Sequence, residues 1–251
     1  MSAGAAGLDE VLALEQRAFN AWPAERSVLF GGWLFRLAGG YTKRANSANA
    51  MQPGVAFDGV REAAEALYQR HGLPTVFRLS PLAPPAADLA LADAGYVAFD
   101  PTQVATASLA MAAPDASVRV DAEPSADWLD GFARANEVAA GRRGIHDAIV
   151  RSIAWPSGFA TVRVDGAAAG FGLAVLERGA VGLFDIVVDP RWRRRGLGRT
   201  LTRALMDWGR TQGASQAYLQ VREANEGARR LYAALGFEDR YRYHYRVPPG
   251  H

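Results

Sequence analysis

Adding 141 to residue numbers in the first half of this 251-residue chain carries its punctuation onto that of the second half. Gly31, Gly72, Gly95 and Tyr96 fall on Gly172, Gly213, Gly236 and Phe237. The same shift lays an expected helix at 58–69 on one at 199–210, and an expected strand at 75–79 on 216–220. One offset shared by strands, helices and turns restricts the architecture more than any single motif does. It predicts two copies of one α/β unit.

Local patterns supply the elements of each copy. Val11, Leu12, Leu14 and Phe19 mark the inward stripe of a helix that opens near Leu8 and stops at Trp22-Pro23. Strands are expected at 33–37 and 41–47, joined at Gly39-Gly40. A helix at 58–69, a strand at 75–79, a helix at 86–93 and a strand at 103–111 follow. Residues 112–115, Ala-Ala-Pro-Asp, read as a linker. The second copy opens with a strand at 118–120 and a helix that Ser125 can cap, running to about residue 137. A polar loop at 141–144 and a short helix through Ile149 and Ile153 come next. Strands are then expected at 159–164, 169–176 and 181–188, a helix at 199–212, a strand at 217–221, a helix at 225–235 and a last strand at 241–247. The fold class is α/β (α+β), a mixed sheet flanked by helices in each lobe, with lobes at 1–113 and 117–247.

Composition removes several functions. Hydrophobic residues make up 49% of the chain, enough for a substantial core. There is no cysteine, which excludes disulfides, thiolate metal sites and a cysteine nucleophile. Four histidines, scattered along the chain, suggest no metal. The N-terminal residues lack a basic region, and the apolar stretch at 167–176 is about half of what a membrane span needs. The expected location is cytoplasmic, without membrane partners. Charge is the more informative property. Between Arg191 and Arg246 stand 13 arginines against five acids, a local charge of +8, and the remainder carries −6. That asymmetry points to a local anionic ligand. No aromatic stacking array or reader motif accompanies the arginines, so nucleic acid is not expected.

The anion site is expected in the segment from Phe184 to Thr200. An apolar strand ends at Val188, turns through Asp189-Pro190, and leads by Arg193-x-x-Gly196-x-Gly198 into a helix with Leu201, Ala204, Leu205 and Trp208 on its apolar face. Small residues let the backbone close around a phosphate, and the first helical N–H groups and the helix dipole favour negative charge there. Arg193, Arg194, Arg195 and Arg199 add charge-assisted donors. Further along, Asn225-x-x-Ala228-x-x-Leu231-Tyr232-x-x-Leu235-Gly236-Phe237 reads as a helix with a tyrosine on its inward stripe. Such a tyrosine serves either the core or chemistry.

These two motifs at this spacing resemble the GNAT superfamily of acetyl-CoA-dependent N-acyltransferases, over about residues 117–247. The resemblance implies a tandem GNAT fold and acetyl-CoA held where two parallel strands splay apart. It implies that the backbone of Ile186, Val187 and Val188 pairs with the pantetheine arm, and that the turn through Arg193, Arg194, Arg195, Gly196, Leu197 and Gly198, with Arg199 and Thr200, holds the pyrophosphate. Asn225 and Ala228 would lie along the pantetheine and Tyr232 near the sulfur. Under the 141-residue shift Gly196, Gly198 and Tyr232 correspond to Val55, Phe57 and Leu91, so the first lobe is expected to be degenerate and not to bind the cosubstrate in this way.

Acetyl transfer to an amine needs a base, an oxyanion donor and an acid for the leaving thiolate. Tyr232 is the expected acid, a backbone N–H near Val187 or Val188 the donor, and Asp185 the first candidate for base. Glu223 and His146 are weaker candidates, and Arg44, Asn46 and Ser47 are expected either to face the substrate cleft or to form a polar strand end that stitches the lobes together. The expected partner is a small-molecule amine, bound by a monomer or homodimer. Acetylation of a protein N-terminus or lysine, and acyl-CoA sensing without catalysis, are the alternatives.

Overall fold

The computed structural model describes residues 6–109 and 118–250, so the linker expected at 112–115 lies outside the described residues. The described residues form two compact units, and neither is a continuous piece of chain. One gathers residues within Met1–Val104, Val221–Asn225 and Asp239–His251, and the other gathers those within Ala105–Gln220 and Glu226–Glu238.

In the first unit, helix α1 (Leu8–Ala21) precedes strands β1 (Arg26–Phe30), β2 (Trp33–Leu37) and β3 (Ala48–Ala50). Helix α2 (Val60–Arg70), strand β4 (Phe77–Leu79), helix α3 (Pro85–Asp93) and the start of β5 (Val97–Ser108) follow. β3 and β4 run parallel, and β4 pairs antiparallel with β11 (Glu238–Val247), the last strand of the chain. The local sequence pattern does not predict strand β1. All five of its residues are exposed, so it lacks the in–out alternation that marks a half-buried strand. Residues 41–47 do not form the expected strand: a 3-10 turn occupies Lys43–Ala45. Asn46 explains it. Its side-chain oxygen accepts from the N–H groups of Ala38 and Gly40 at 2.7 and 2.9 Å, and its amide donates to the Thr42 carbonyl at 2.8 Å. These local bonds replace a ladder. Ser47 bonds Asn49, and the Arg44 carbonyl accepts from Arg36.

The second unit contains the rest of the secondary structure. Strand β6 (Val118–Asp121), helices α4 (Ala126–Ala135) and α5 (Ala140–Arg151), and strands β7 (Ser157–Val164), β8 (Ala167–Glu177) and β9 (Ala180–Val188) come first. Helix α6 (Leu197–Thr211), strand β10 (Gln216–Arg222) and helix α7 (Glu226–Ala233) complete it. Ser125 caps α4 as expected, accepting from the Trp128 N–H. The loop expected at 141–144 is instead helical, the first turn of α5. β6 to β9 form an antiparallel ladder, while β10 lies parallel to β9. The shared offset holds for the closing elements: shifted by 141, α2 falls within α6, β4 within β10, and α3 reaches α7.

Successive residues of β8 show which helix covers which face. Side chains built at Gly170 and Gly172 would meet Leu201 and Leu205 of α6, whereas Phe171, between them, meets Gly131 of α4. Helix α4 lies so close that a Cβ at Gly131 would overlap the Phe171 ring. We expect Gly131→Ala to destabilise by about 1–3 kcal/mol through overpacking. Urea unfolding checks this, and an unchanged midpoint would refute the close fit.

Candidate active site

Parallel pairing between β9 and β10 ends at Leu183 and Leu219, although β9 runs on to Val188 and β10 to Arg222. Beyond that point β9 keeps β8 on one side and loses its neighbour on the other. Asp185, Ile186, Val187 and Val188 become half-exposed where the five preceding residues are buried. A free sheet edge thus opens in the middle of a unit.

A bulge sits at the start of this edge. Leu173 faces Phe184 and Phe171 faces Val187, so Asp185 and Ile186 together oppose Gly172. Asp185 takes a φ of 49°, a region that aspartate tolerates better than most side chains do. Ile186 lies on the α6 side, near the position of a Cβ on Gly172. Asp185 reaches the other side, where its carboxylate meets His146 of α5 at 2.9 Å.

The strand leads directly into a backbone concavity. Asp189 accepts from the Arg191 N–H, and a 3-10 turn covers Pro190–Trp192. Arg194 and Gly196 have φ values of 64° and 81°. A left-handed glycine carries no steric penalty, but a left-handed arginine is held there by its surroundings. Helix α6 starts at Leu197, two residues before the expected start, and its first internal bonds run from the N–H groups of Arg199 and Thr200 to the Gly196 carbonyl. The N–H groups of Leu197 and Gly198 therefore have no acceptor inside the helix. Arg193, Arg194 and Arg195 are exposed around them. Arg193 spends one donor on the Val188 carbonyl at 3.1 Å, Arg195 lies 4.9 Å over the Trp192 ring, and Arg199 donates to Ala234 at the end of α7. Each retains further N–H donors. A free strand edge followed by a positive concavity fits an extended ligand that ends in phosphates.

Helix α7 lies against this turn, because Gly198 has no side chain and the place of its Cβ is 3.4 Å from Leu231. Ala228 and Tyr232 are four residues apart and so share a face. Tyr232 packs its ring against Phe237 at 5.8 Å, and its hydroxyl bonds to none of the described residues. Burial pushes its pKa up to about 12. Asn225 is exposed at the turn before α7, its N–H bonded to the Arg222 carbonyl. Glu223 pairs with Arg242 at 3.2 Å in the first unit. Among the described residues no group of histidines and carboxylates has the arrangement of a metal site. No helix among them is long and apolar enough to cross a membrane.

Residues 9–246 match the family described as "Probable histone acetyltransferase Rv0428c C-terminal". The chain belongs to that acetyltransferase family. An "Uncharacterized N-acetyltransferase YobR" of Bacillus subtilis is 32% identical to this chain over 248 residues, covering 96% of this chain and 99% of its own. A GCN5-related N-acetyltransferase from Kribbella flavida has the same fold, with a TM-score of 0.72 at 19% identity over 99% of this chain and 98% of its own. Over 57 residues, 23% of this chain and 38% of the other, the sequence is 47% identical to the [Ribosomal protein bS18]-alanine N-acetyltransferase of Salmonella typhimurium. The protein is an N-acetyltransferase of GNAT type with the tandem GNAT fold.

Proposed function

We propose that the lobe at 117–247 moves the acetyl group of acetyl-CoA to the primary amine of a small molecule, by direct attack with both bound. The observation that carries this reading is the loss of β10 from the side of β9 immediately before the left-handed turn at Arg194 and Gly196. Ile186, Val187 and Val188 offer their open edge to the pantetheine, and the Arg193–Thr200 segment offers its N–H groups and guanidinium charge to the phosphates. Ala228 lies along the same arm. Acetyl-CoA, when bound, supplies an activated thioester carbonyl.

The residues of the chain then have separate tasks. Asp185 takes the proton that the amine must lose, since amines with pKa near 9–10 are mostly charged at neutral pH. The N–H of Val187 or Val188 donates to the developing oxyanion. Tyr232 holds its proton at neutral pH and releases it to the departing sulfur. The first lobe, 1–113, takes no cosubstrate in this way. Where the second lobe has Gly198, the first has Phe57, whose ring packs between Trp33 and Phe77 at 5.4 and 5.9 Å. A second reading, transfer to a protein N-terminus, draws on the local similarity to the bS18-alanine enzyme.

Calorimetry is expected to find one acetyl-CoA site per chain, and two equivalent sites would refute the degenerate first lobe. Gly196→Val should weaken that binding by about tenfold or more, because a β-branched residue resists positive φ. Thiol release measured with amino acids, amino sugars, polyamines and an alanine-initiated peptide separates the acceptor classes. Turnover confined to the peptide would overturn the small-molecule reading.

A further inference from the structure

His146 is an ionisable side chain with no solvent exposure, in a place where packing alone would be served by an apolar one. Phe132 stacks on the imidazole at 4.5 Å with 10° between the planes, and Trp128 lies beyond at 6.5 Å and 12°. Those rings hold it in one orientation. Both nitrogens nevertheless meet carboxylates. Nε2 is 2.9 Å from Oδ2 of Asp185 and Nδ1 is 3.3 Å from Oδ1 of Asp147. The two carboxylates differ in access: the Asp185 side chain keeps 9% of its exposure and lies at the bulge that opens the strand edge, and Asp147 is 25% exposed. Arg143 stands 4.0 Å from Asp147 and also pairs with Asp130 of α4. The charged groups beside the imidazole include Asp185 from β9, Asp147 from its own helix, Arg143 behind Asp147 and Asp130 of α4 beyond Arg143, while α4 also contributes aromatic faces.

We propose that His146 is the proton store of the acetyl transfer, a positioning residue that acts through Asp185 and is oriented by Asp147. The proposal rests on the acetyl-transfer reading above. The 2.9 Å contact between Nε2 and Oδ2 needs a proton between them and so belongs to the imidazolium; in the working state Nε2 has given that proton up, and the neutral imidazole keeps its Nδ1–H on Asp147. As the acceptor's N–H bond breaks, its proton goes to the accessible carboxylate of Asp185, which passes that same proton on to Nε2. The electron pair of the broken bond stays on nitrogen for attack on the carbonyl. The product leaves an imidazolium between two carboxylates, which returns its proton to water through Asp185. No oxidant or further reactant is required.

The sign of the pH dependence follows. Burial disfavours the imidazolium, but Asp185 and then Asp147 favour it by more, so the His146 pKa lies above its ordinary value. Rate should therefore rise with pH along a limb displaced upward from the ordinary imidazole range. Stability runs oppositely. The contribution of the ion pairs is present below the unfolded pKa of about 6.5 and is lost as pH rises through the higher folded value.

The test combines nitrogen-detected NMR titration of His146 in the full chain with pH profiles of thiol release from acetyl-CoA across the amine panel. Asp185→Asn and Asp147→Asn should each lower the His146 midpoint, and the Asp147→Asn rate limb should move with it. His146→Gln keeps a donor for Asp185 but cannot titrate. It should lose about 100-fold in turnover near neutral pH and lose the limb, with KM for acetyl-CoA unchanged. An unaltered limb in His146→Gln, or a midpoint that ignores Asp185→Asn, overturns the proposal. Failure of acetyl-CoA to bind would overturn the acetyl-transfer reading instead, and the NMR response to Asp185→Asn would still decide whether the groups share a proton.

Discussion

Tyr232→Phe lowers turnover by about 100-fold or more and leaves acetyl-CoA affinity nearly unchanged. The substitution removes one oxygen from a side chain whose ring remains packed on Phe237. The lost atom makes no bond to the described residues, so structure and stability should change little. A phenol pushed up to about 12 by burial is fully protonated at the pH of the assay. It is then an acid for a thiolate and not a base for an amine. Single-turnover thiol release separates this role from product release, and a rate within about threefold of wild type would remove Tyr232 as the acid.

Glu15→Ala destabilises the protein by about 3–5 kcal/mol. The carboxylate of Glu15 on α1 is buried with Arg78 of β4, each side chain 2% exposed. It binds both terminal nitrogens of the guanidinium and accepts the Tyr241 hydroxyl at 2.6 Å. Arg78 also lies 3.6 Å over the Tyr243 ring. Removing the carboxylate strands a buried cation and a buried hydroxyl, and neither can reach water. Replacing both members together, Glu15→Met with Arg78→Met, should recover much of the loss, because the desolvated charge then disappears as well. Urea unfolding of the single and double variants measures both effects. A loss below about 1 kcal/mol in Glu15→Ala would show that the pair is solvated in solution.

Particular residues show where sequence reasoning succeeded and where it stopped. The turn from Val188 to Gly198 was legible because its signals are local: an apolar run, Asp-Pro, spaced glycines and arginines. The tract from Arg26 to Phe30 was missed although Gly31-Gly32, a pair suited to a two-residue hairpin, stood directly after it. Its exposed faces left no alternation to detect. Residues 141–144 read as a loop because two glycines disfavour helix, yet α5 includes them. His146, one of the weaker candidates for base, turned out to touch the first one, Asp185. On the bulged strand itself Asp185 and Ile186 include no glycine or asparagine to announce the bulge.

The sequence by itself determined the duplicated plan, the family and the glycine- and arginine-rich turn before α6, since each is written in patterns a few residues long or in one constant offset. The tertiary structure alone decided which side of β9 Asp185 occupies, what it touches, and that β11 completes a ladder with β4. Asp185 and His146 are 39 positions apart, Arg78 and Glu15 are 63, and Tyr241 and Glu15 are 226. Contacts at such separations are selected by packing and by the cost of leaving a buried charge unpaired, and neither is expressed in the local spacing of residues.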